Sequence, residues 1–255
     1  VLVAVPAHNE QRAVGACLAS VAASLRQARA AGVVGRAAVA VAVHRSTDGT
    51  DLAVQQWRAA VPGVEVFRQV DDVARTVGEV RHRLVAAACR ALGIEAAADG
   101  WVFSTDADSV VPRDWVTGIL GHADRTGAHC VTGLVDLDGW RAHPDAAAAY
   151  ERIVRDGLDK TGHRHVYGAN LAVRLDAYAA VGGFPPHAHG EDHALVARVR
   201  AGGGRVVPTH TPVVRTSARM PGRARHGLGD LLHALANGIP SPQAAVAAGC
   251  ACCAG

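Results

Sequence analysis

The stretch Val1-Leu2-Val3-Ala4-Val5-Pro6-Ala7-His8-Asn9-Glu10 decides how the rest of the chain is read. An apolar, β-branched run passes into Pro6 and then into a polar cluster, which predicts a buried strand with a polar loop at its carboxyl end. From Ala13 to Ala31 the residues Val14, Cys17, Leu18, Val21 and Leu25 recur at helical spacing, so a helix follows. The alternation repeats with a strand at Val39 to Val43, a helix at Asp51 to Ala60 and a strand at Val64 to Phe67. Continuous apolar strands separated by amphipathic helices predict an α/β fold: a mostly parallel central sheet with helices on both faces.

Further along, Gly78 to Leu92 predicts a helix, Trp101 to Ser104 a strand, Trp115 to Ala123 a helix and Cys130 to Leu134 a strand. The pattern then loosens into a polar helix around Ala146 to Leu158 and a Gly-rich passage from Tyr167 to Gly190. A helix at Asp192 to Arg200 and a strand at Arg205 to Val207 follow. No linker is long enough to separate domains, so residues 1–240 are expected to form one domain and 241–255 a flexible tail.

With 255 residues, 49% hydrophobic and 19% charged, the chain suits a globular fold with a large core. Aromatics make up 4%, so small and β-branched side chains must fill that core. Twenty-six basic against 23 acidic residues give no footprint for a nucleic-acid backbone, and nucleic acid is excluded as a favoured partner. Arg215, Arg219, Arg223 and Arg225 form a local basic excess that could meet phosphate or an anionic membrane surface, or simply be a solvated loop. Cys17, Cys89 and Cys130 read as reduced thiols, and Cys250, Cys252 and Cys253 lack a second ligand pair for zinc. No basic-then-apolar leader opens the chain, and Ala37 to Val43 is too short to cross a bilayer. The expectation is a cytoplasmic protein without a transmembrane segment, with peripheral membrane contact left open.

In open α/β sheets, ligands bind beyond the carboxyl ends of the strands, so the residues just after each apolar run matter most. After the first strand come His8, Asn9 and Glu10; after the second, His44, Arg45, Ser46, Thr47, Asp48, Gly49 and Thr50; after the fourth, Thr105, Asp106, Ala107 and Asp108. Two carboxylates in alternation, Asp106 and Asp108, suit Mg²⁺ or Mn²⁺ bridging a diphosphate, although Asp108 is equally placed to open a turn. Asp48 alone is an Asx turn, Asn9 and Glu10 alone are helix-start signals, and Glu191 and Asp192 alone cap a helix. The sheet edge common to the residues after the first, second and fourth strands is what separates those three groups from chance.

Taken in order, these residues resemble the family 2 glycosyltransferases. The matching stretches are Val5-Pro6-Ala7-His8-Asn9-Glu10, Ser46-Thr47-Asp48-Gly49-Thr50, Asp106-Ala107-Asp108, Tyr167-Gly168-Ala169-Asn170, Gly182-Gly183-Phe184 and Gly190-Glu191-Asp192. The resemblance implies a GT-A-like, nucleotide-diphospho-sugar transferase fold, with residues 1–110 as the nucleotide-binding half and 111–240 as the acceptor half. It implies an inverting, hexosyltransferase-like enzyme that uses Mg²⁺ or Mn²⁺. By resemblance Pro6, His8, Glu10, His44, Asp48 and Asp106 contact the nucleotide, Arg219 and Arg223 approach its phosphates, and Asp108 with Asp106 holds the metal. His210 is the expected third metal ligand, with His187, His189 and His193 competing. Asp192 is the expected general base, with Glu191 beside it. Where family members carry an acidic pair this chain has Val43 and His44, which leaves guanine as open as uracil.

The implied partners are a nucleotide-diphospho-sugar donor and a small-molecule or lipid-linked acceptor. Two other readings compete. A nucleotidyltransferase would carry a Gly-rich basic loop after the first strand, whereas this chain has Ala7-His8-Asn9-Glu10 and a single lysine, Lys160. A catalytically inert nucleotide-sugar-binding scaffold would share the fold, but the carboxylates at Asp106, Asp108, Glu191 and Asp192 stand against it.

Overall fold

The computed structural model describes residues 1–60, 63–96, 99–140, 142–160, 162–219 and 228–239. Strand β1 (Leu2–Ala7), helix α1 (Val14–Ala30), β2 (Ala38–His44), α2 (Thr50–Ala60), β3 (Glu65–Asp71), α3 (Val77–Leu92) and β4 (Trp101–Ser104) alternate as the apolar pattern predicts. After β4 come a short β5 (Ser109–Val110), α4 (Trp115–Thr126), β6 (Cys130–Asp138) and α5 (Pro144–Asp156). A two-stranded ribbon, β7 (Leu158–Asp159) and β8 (Gly162–His163), leads to β9 (Leu171–Arg174), α6 (Leu175–Ala180), α7 (Glu191–Ala201), β10 (Val206–Ser217) and α8 (Leu228–Ala236).

The main sheet has eight strands in the order β3-β2-β1-β4-β9-β6-β10-β5. The pairs β1 with β2, β1 with β4, β2 with β3 and β6 with β10 are parallel. Strand β9 runs antiparallel between β4 and β6, and β5 runs antiparallel at the edge of β10.

Alternation along each strand sorts the core into two layers. Val3, Val5, Val39, Val41 and Phe103 pack with α1, α2 and α4 through Leu18, Val21, Leu25, Val54, Trp115 and Ile119. Leu2, Ala4, Ala38, Ala40, Ala42 and Val102 pack on the other face with α3, α6 and α7 through Leu84, Val85, Tyr178, Leu195 and Val199. Strands covered on both sides read as unbroken apolar runs, which is why the sequence signalled them. The Ala face of β2 sets short side chains against α3.

The later elements differ from the sequence reading. The Gly-rich passage holds β9 and α6, a four-residue strand and a six-residue helix too short to show a period. The last strand runs twelve residues, not three, because Pro208 and Pro212 break its alternation. Its pairing with β6 slips between Thr209 and Val214. The expected tail and its cysteines Cys250, Cys252 and Cys253 lie outside the described residues.

Candidate active site

The carboxyl ends of β1, β2 and β4 meet at one rim, and their loops are stitched together. Asn9 adopts a left-handed conformation, φ 54°, which its short polar side chain tolerates. Its backbone N–H donates to Ser46 Oγ at 3.0 Å and its Oδ1 accepts from Thr47 N at 2.7 Å. Glu10 N donates to Thr50 Oγ1 at 2.7 Å, and Gln11 N to Asp48 Oδ2 at 3.1 Å. Asp48 Oδ1 also accepts from Thr50 N at 3.0 Å, so Asp48 caps the start of α2 while fixing the loop after β1. The Asx reading of Asp48 thus describes its contacts within the protein.

Pro6 lies in β1 in register with Ala42. His8 and His44 stand at the ends of β1 and β2, ring centroids 5.9 Å apart. His8 Nδ1 donates to the His44 carbonyl at 2.8 Å, and His44 Nδ1 to the Asp71 carbonyl at 2.7 Å. A carbonyl only accepts, so both rings in their neutral form carry the proton on Nδ1.

The turn bearing Asp106 and Asp108 is pinned from several sides. Ser109 N donates to the Asp106 carbonyl at 3.0 Å, Ser109 Oγ to Thr216 Oγ1 at 2.8 Å, and Cys17 Sγ to the Asp106 carbonyl at 3.2 Å. Between β4 and α7 sits Arg81 of α3, its side chain 3% exposed. Its Nη2 donates to Asp106 Oδ1, its Nη1 to Glu191 Oε1, and its Nε to Ser104 Oγ at 3.2 Å. The Phe184 ring lies 5.7 Å from the guanidinium carbon. Gly168 is required here, since a Cβ would stand 2.9 Å from Arg81 Nη2.

A second guanidinium closes the opposite side. Arg219 forks onto Glu10, both Nη–Oε distances being 2.9 Å, and its Nη2 stands 3.6 Å from Asp108 Oδ2. Asp192, at the start of α7, accepts from Gly168 N at 2.7 Å through Oδ2 and from His193 N at 2.7 Å through Oδ1. One rim therefore carries the carboxylates Glu10, Asp106, Asp108, Glu191 and Asp192 against the guanidiniums of Arg81 and Arg219.

The crowding shows in proton affinities. Burial, reinforced by Asp106 and Glu10 and opposed by Arg219, raises Asp108 from 3.8 to about 7. Burial also raises Asp106 and Glu191, with Asp192 adding to both and Arg81 opposing. Arg81 itself loses solvation, but Asp106, Glu191 and Asp192 outweigh that and raise its affinity for its proton. One buried cation thus serves three carboxylates and does not neutralise them.

Most of the residues singled out in the sequence meet at this rim. His210 does not: its Nε2 bonds the Gly162 carbonyl at 3.1 Å and its ring lies 6.0 Å from His163. Among the described residues no group of three or more His, Cys, Asp or Glu side chains is arranged to hold a metal, so His210 does not complete a three-ligand set with Asp106 and Asp108. The slip of β10 against β6 carries His210 toward β8. Arg223 lies outside the described residues.

Arg81 was missed. It falls on the apolar stripe Val77, Val80, Leu84, Val85 and Ala88 of α3, and a charge on such a stripe signals a buried ion pair. Asn170 was read as part of a motif without a role. It is wholly buried, accepting from Trp115 Nε1 at 2.9 Å and donating to the Leu134 and Pro212 carbonyls at 2.8 and 3.0 Å.

A sheet of this order, with carboxylates gathered at the ends of β1 and β4 and at the start of α7, defines a nucleotide-diphospho-sugar transferase type of fold. The family model described as Glycosyl transferase family 2 matches residues 2–182. The chain belongs to glycosyl transferase family 2.

No curated protein matches the chain in sequence. Among solved structures it is similar to residues 1–349 of TarS from S. aureus in complex with UDP-GlcNAc, with a TM-score of 0.64 and 13% identity over 92% of this chain and 64% of that one. It is also similar to the mannosyltransferase PcManGT from Pyrobaculum calidifontis in complex with GDP-Man and Mn²⁺, with a TM-score of 0.64 and 20% identity over 100% and 75% of the two chains. A third is glucosyl-3-phosphoglycerate synthase from Mycobacterium tuberculosis with Mg²⁺ and UDP, with a TM-score of 0.53 and 20% identity over 94% and 80%. At these identities the likeness concerns the fold. No helix of the described residues is long and apolar enough to cross a membrane.

Proposed function

We propose that this protein is an inverting glycosyltransferase that moves a sugar from a nucleoside-diphosphate donor to an acceptor hydroxyl, with a divalent cation and a carboxylate general base. The observation that carries the reading is the bridge between the two halves of the rim: the Arg81 guanidinium donates both to Asp106, at the end of β4, and to Glu191, at the start of α7 beside Asp192. A donor held at the first half therefore faces a proton acceptor on the second.

The residues suit a divalent cation. Mg²⁺ and Mn²⁺ are commonly held by one or two carboxylates, water and substrate phosphates, and Asp108, with Asp106 two residues before it, supplies that set. When bound, the ion would offset negative charge on the departing diphosphate. Glu10, Asp48, Pro6, His8 and His44 line the edge where the nucleoside would lie, and Arg219 matches a phosphate by its fork.

Of the two acidic residues opening α7, Glu191 is 5% exposed and committed to Arg81, so we assign it to positioning. Asp192 is half-buried and oriented by two backbone N–H groups, which leaves it the better base. The acceptor O–H proton passes to Asp192, the acceptor oxygen bonds to the anomeric carbon, and the bond to the diphosphate oxygen breaks with its electron pair leaving on the diphosphate. The transfer inverts the anomeric centre because attack and departure lie on opposite faces.

The reading is tested with Asp192→Asn. Turnover is expected to fall by about 10²-fold or more, while binding of UDP or GDP with Mn²⁺, followed by thermal shift, stays as in the parent. Undiminished turnover would remove Asp192 from the mechanism. No turnover by the parent with any sugar donor, despite tight nucleotide binding, would favour the inert scaffold.

A further inference from the structure

Arg219 stands on the two acidic groups that the donor reading needs. Its guanidinium uses both outer nitrogens on Glu10, whose side chain is 9% exposed, and the same Nη2 reaches toward Asp108. Arg219 thus contacts both carboxylates, in the place where a divalent ion and a diphosphate would have to reach them.

The two guanidiniums of the rim are held differently. Arg81 is buried, bonded to Asp106, Glu191 and Ser104, and wedged against Gly168 and Phe184, so it cannot leave without tearing the core. Arg219 has a side chain 34% exposed. Its backbone is anchored by long bonds, Arg219 N to Ser217 Oγ at 3.3 Å and Ala218 N to the Asp138 carbonyl at 3.3 Å. Displacing it takes this guanidinium away from Glu10 and Asp108.

We propose that Arg219 is a competing cation for the donor site: it holds Glu10 and Asp108 until a nucleotide diphosphate draws its guanidinium away, so a divalent ion binds well only together with the nucleotide. The inference rests on the donor-site reading above. Its basis is exchange of like for like, since a guanidinium and a divalent cation cannot both sit on Asp108 without repelling each other, whereas a diphosphate offers the fork a pair of oxygens equivalent to those of Glu10. Metal and nucleotide then promote each other's binding to the same extent, as linkage requires.

The test is Mn²⁺ binding followed by the electron paramagnetic resonance of the free ion, with and without UDP or GDP, on the parent, Arg219→Gln and Arg219→Lys. Arg219→Gln is expected to bind Mn²⁺ alone roughly tenfold more tightly than the parent, with the nucleotide's help to Mn²⁺ falling by a similar factor. Arg219→Lys keeps the charge and is expected to stay near the parent for Mn²⁺ alone. If the parent binds Mn²⁺ with nucleotide, yet Arg219→Gln takes up Mn²⁺ alone no more tightly, the competition is refuted and the donor site stands. If no form binds Mn²⁺ or nucleotide, the donor-site reading fails and takes the competition with it.

Discussion

Replacing Asp108 by Asn should stabilise the protein at neutral pH when measured without added metal or nucleotide. Burial and the neighbouring Asp106 and Glu10 raise this carboxyl from 3.8 to about 7. The folded protein therefore binds its proton more tightly than the unfolded chain does between those two values. Where the native state holds more protons than the unfolded state, stability falls as pH rises. Its ionisation thus costs stability progressively from about pH 4 to about 7, and the full cost persists above. At about 1.4 kcal/mol for each tenfold change in proton affinity, the rise amounts to roughly 4 kcal/mol. The Asp108 side chain is 20% exposed, and water with local relaxation takes up part of this, so about 2 kcal/mol is expected in practice. Urea unfolding of parent and Asp108→Asn at intervals from pH 5 to 8 reads the effect directly. The advantage of the variant should widen with pH and level off above about 7, while Mn²⁺-linked stabilisation of the nucleotide complex disappears. A variant no more stable than the parent at pH 7.5, or one whose advantage does not change with pH, would refute the account of a crowded, strained carboxylate.

Arg81→Met is expected to cost about 3–5 kcal/mol, because it leaves Asp106 and Glu191 without their buried partner; combining it with Glu191→Gln should restore part of that in denaturant titrations. Asn170→Ala should cost about 3 kcal/mol by the same measurement, since Trp115 Nε1 and the Leu134 and Pro212 carbonyls lose their partner inside the core. His163, buried and repelled by His165 and His210, has its proton affinity lowered despite the Thr209 carbonyl. The unfolded chain then binds that proton more tightly, so stability should decline as pH falls through about 6.5 toward the folded value, and His163→Phe should flatten this slope.

The fold was legible wherever strands are covered on both faces, since β1, β2 and β4 then read as uninterrupted apolar runs and α1 and α3 as clean helical stripes. It was illegible where the signal is short or broken: β9 spans four residues and gives no period, and two prolines hide most of β10. The rim was legible as acidic residues after strand ends, which gathered Glu10, Asp106 and Asp108, and the family resemblance added Glu191 and Asp192. What holds them there was not. Arg81 is separated in sequence from all of them and belongs by spacing to a helix core, so only its charge on an apolar stripe hinted at its place. His210 stands apart because a strand read as ending at Val207 cannot anticipate the longer β10 and its slip between Thr209 and Val214, where His210 bonds Gly162.

Five carboxylates at one rim would repel one another apart if the loops carrying them were loose, and the structure resists this in two unequal ways. Along β1 and β2 the restraint is backbone hydrogen bonding, with Asn9, Glu10 and Gln11 tied to Ser46, Thr47, Thr50 and Asp48, which fixes positions without cancelling charge. Between β4 and α7 the restraint is Arg81, which cancels charge but is outnumbered by its carboxylates. Asp108 lies away from Arg81, and among the described residues the cation beside it is the half-open Arg219. A rigid frame that concentrates repulsion beside a movable cation favours ligands that bring both a divalent charge and an anion for the displaced arginine. A nucleotide diphosphate accompanied by a divalent metal meets both conditions, whereas neither component does so alone.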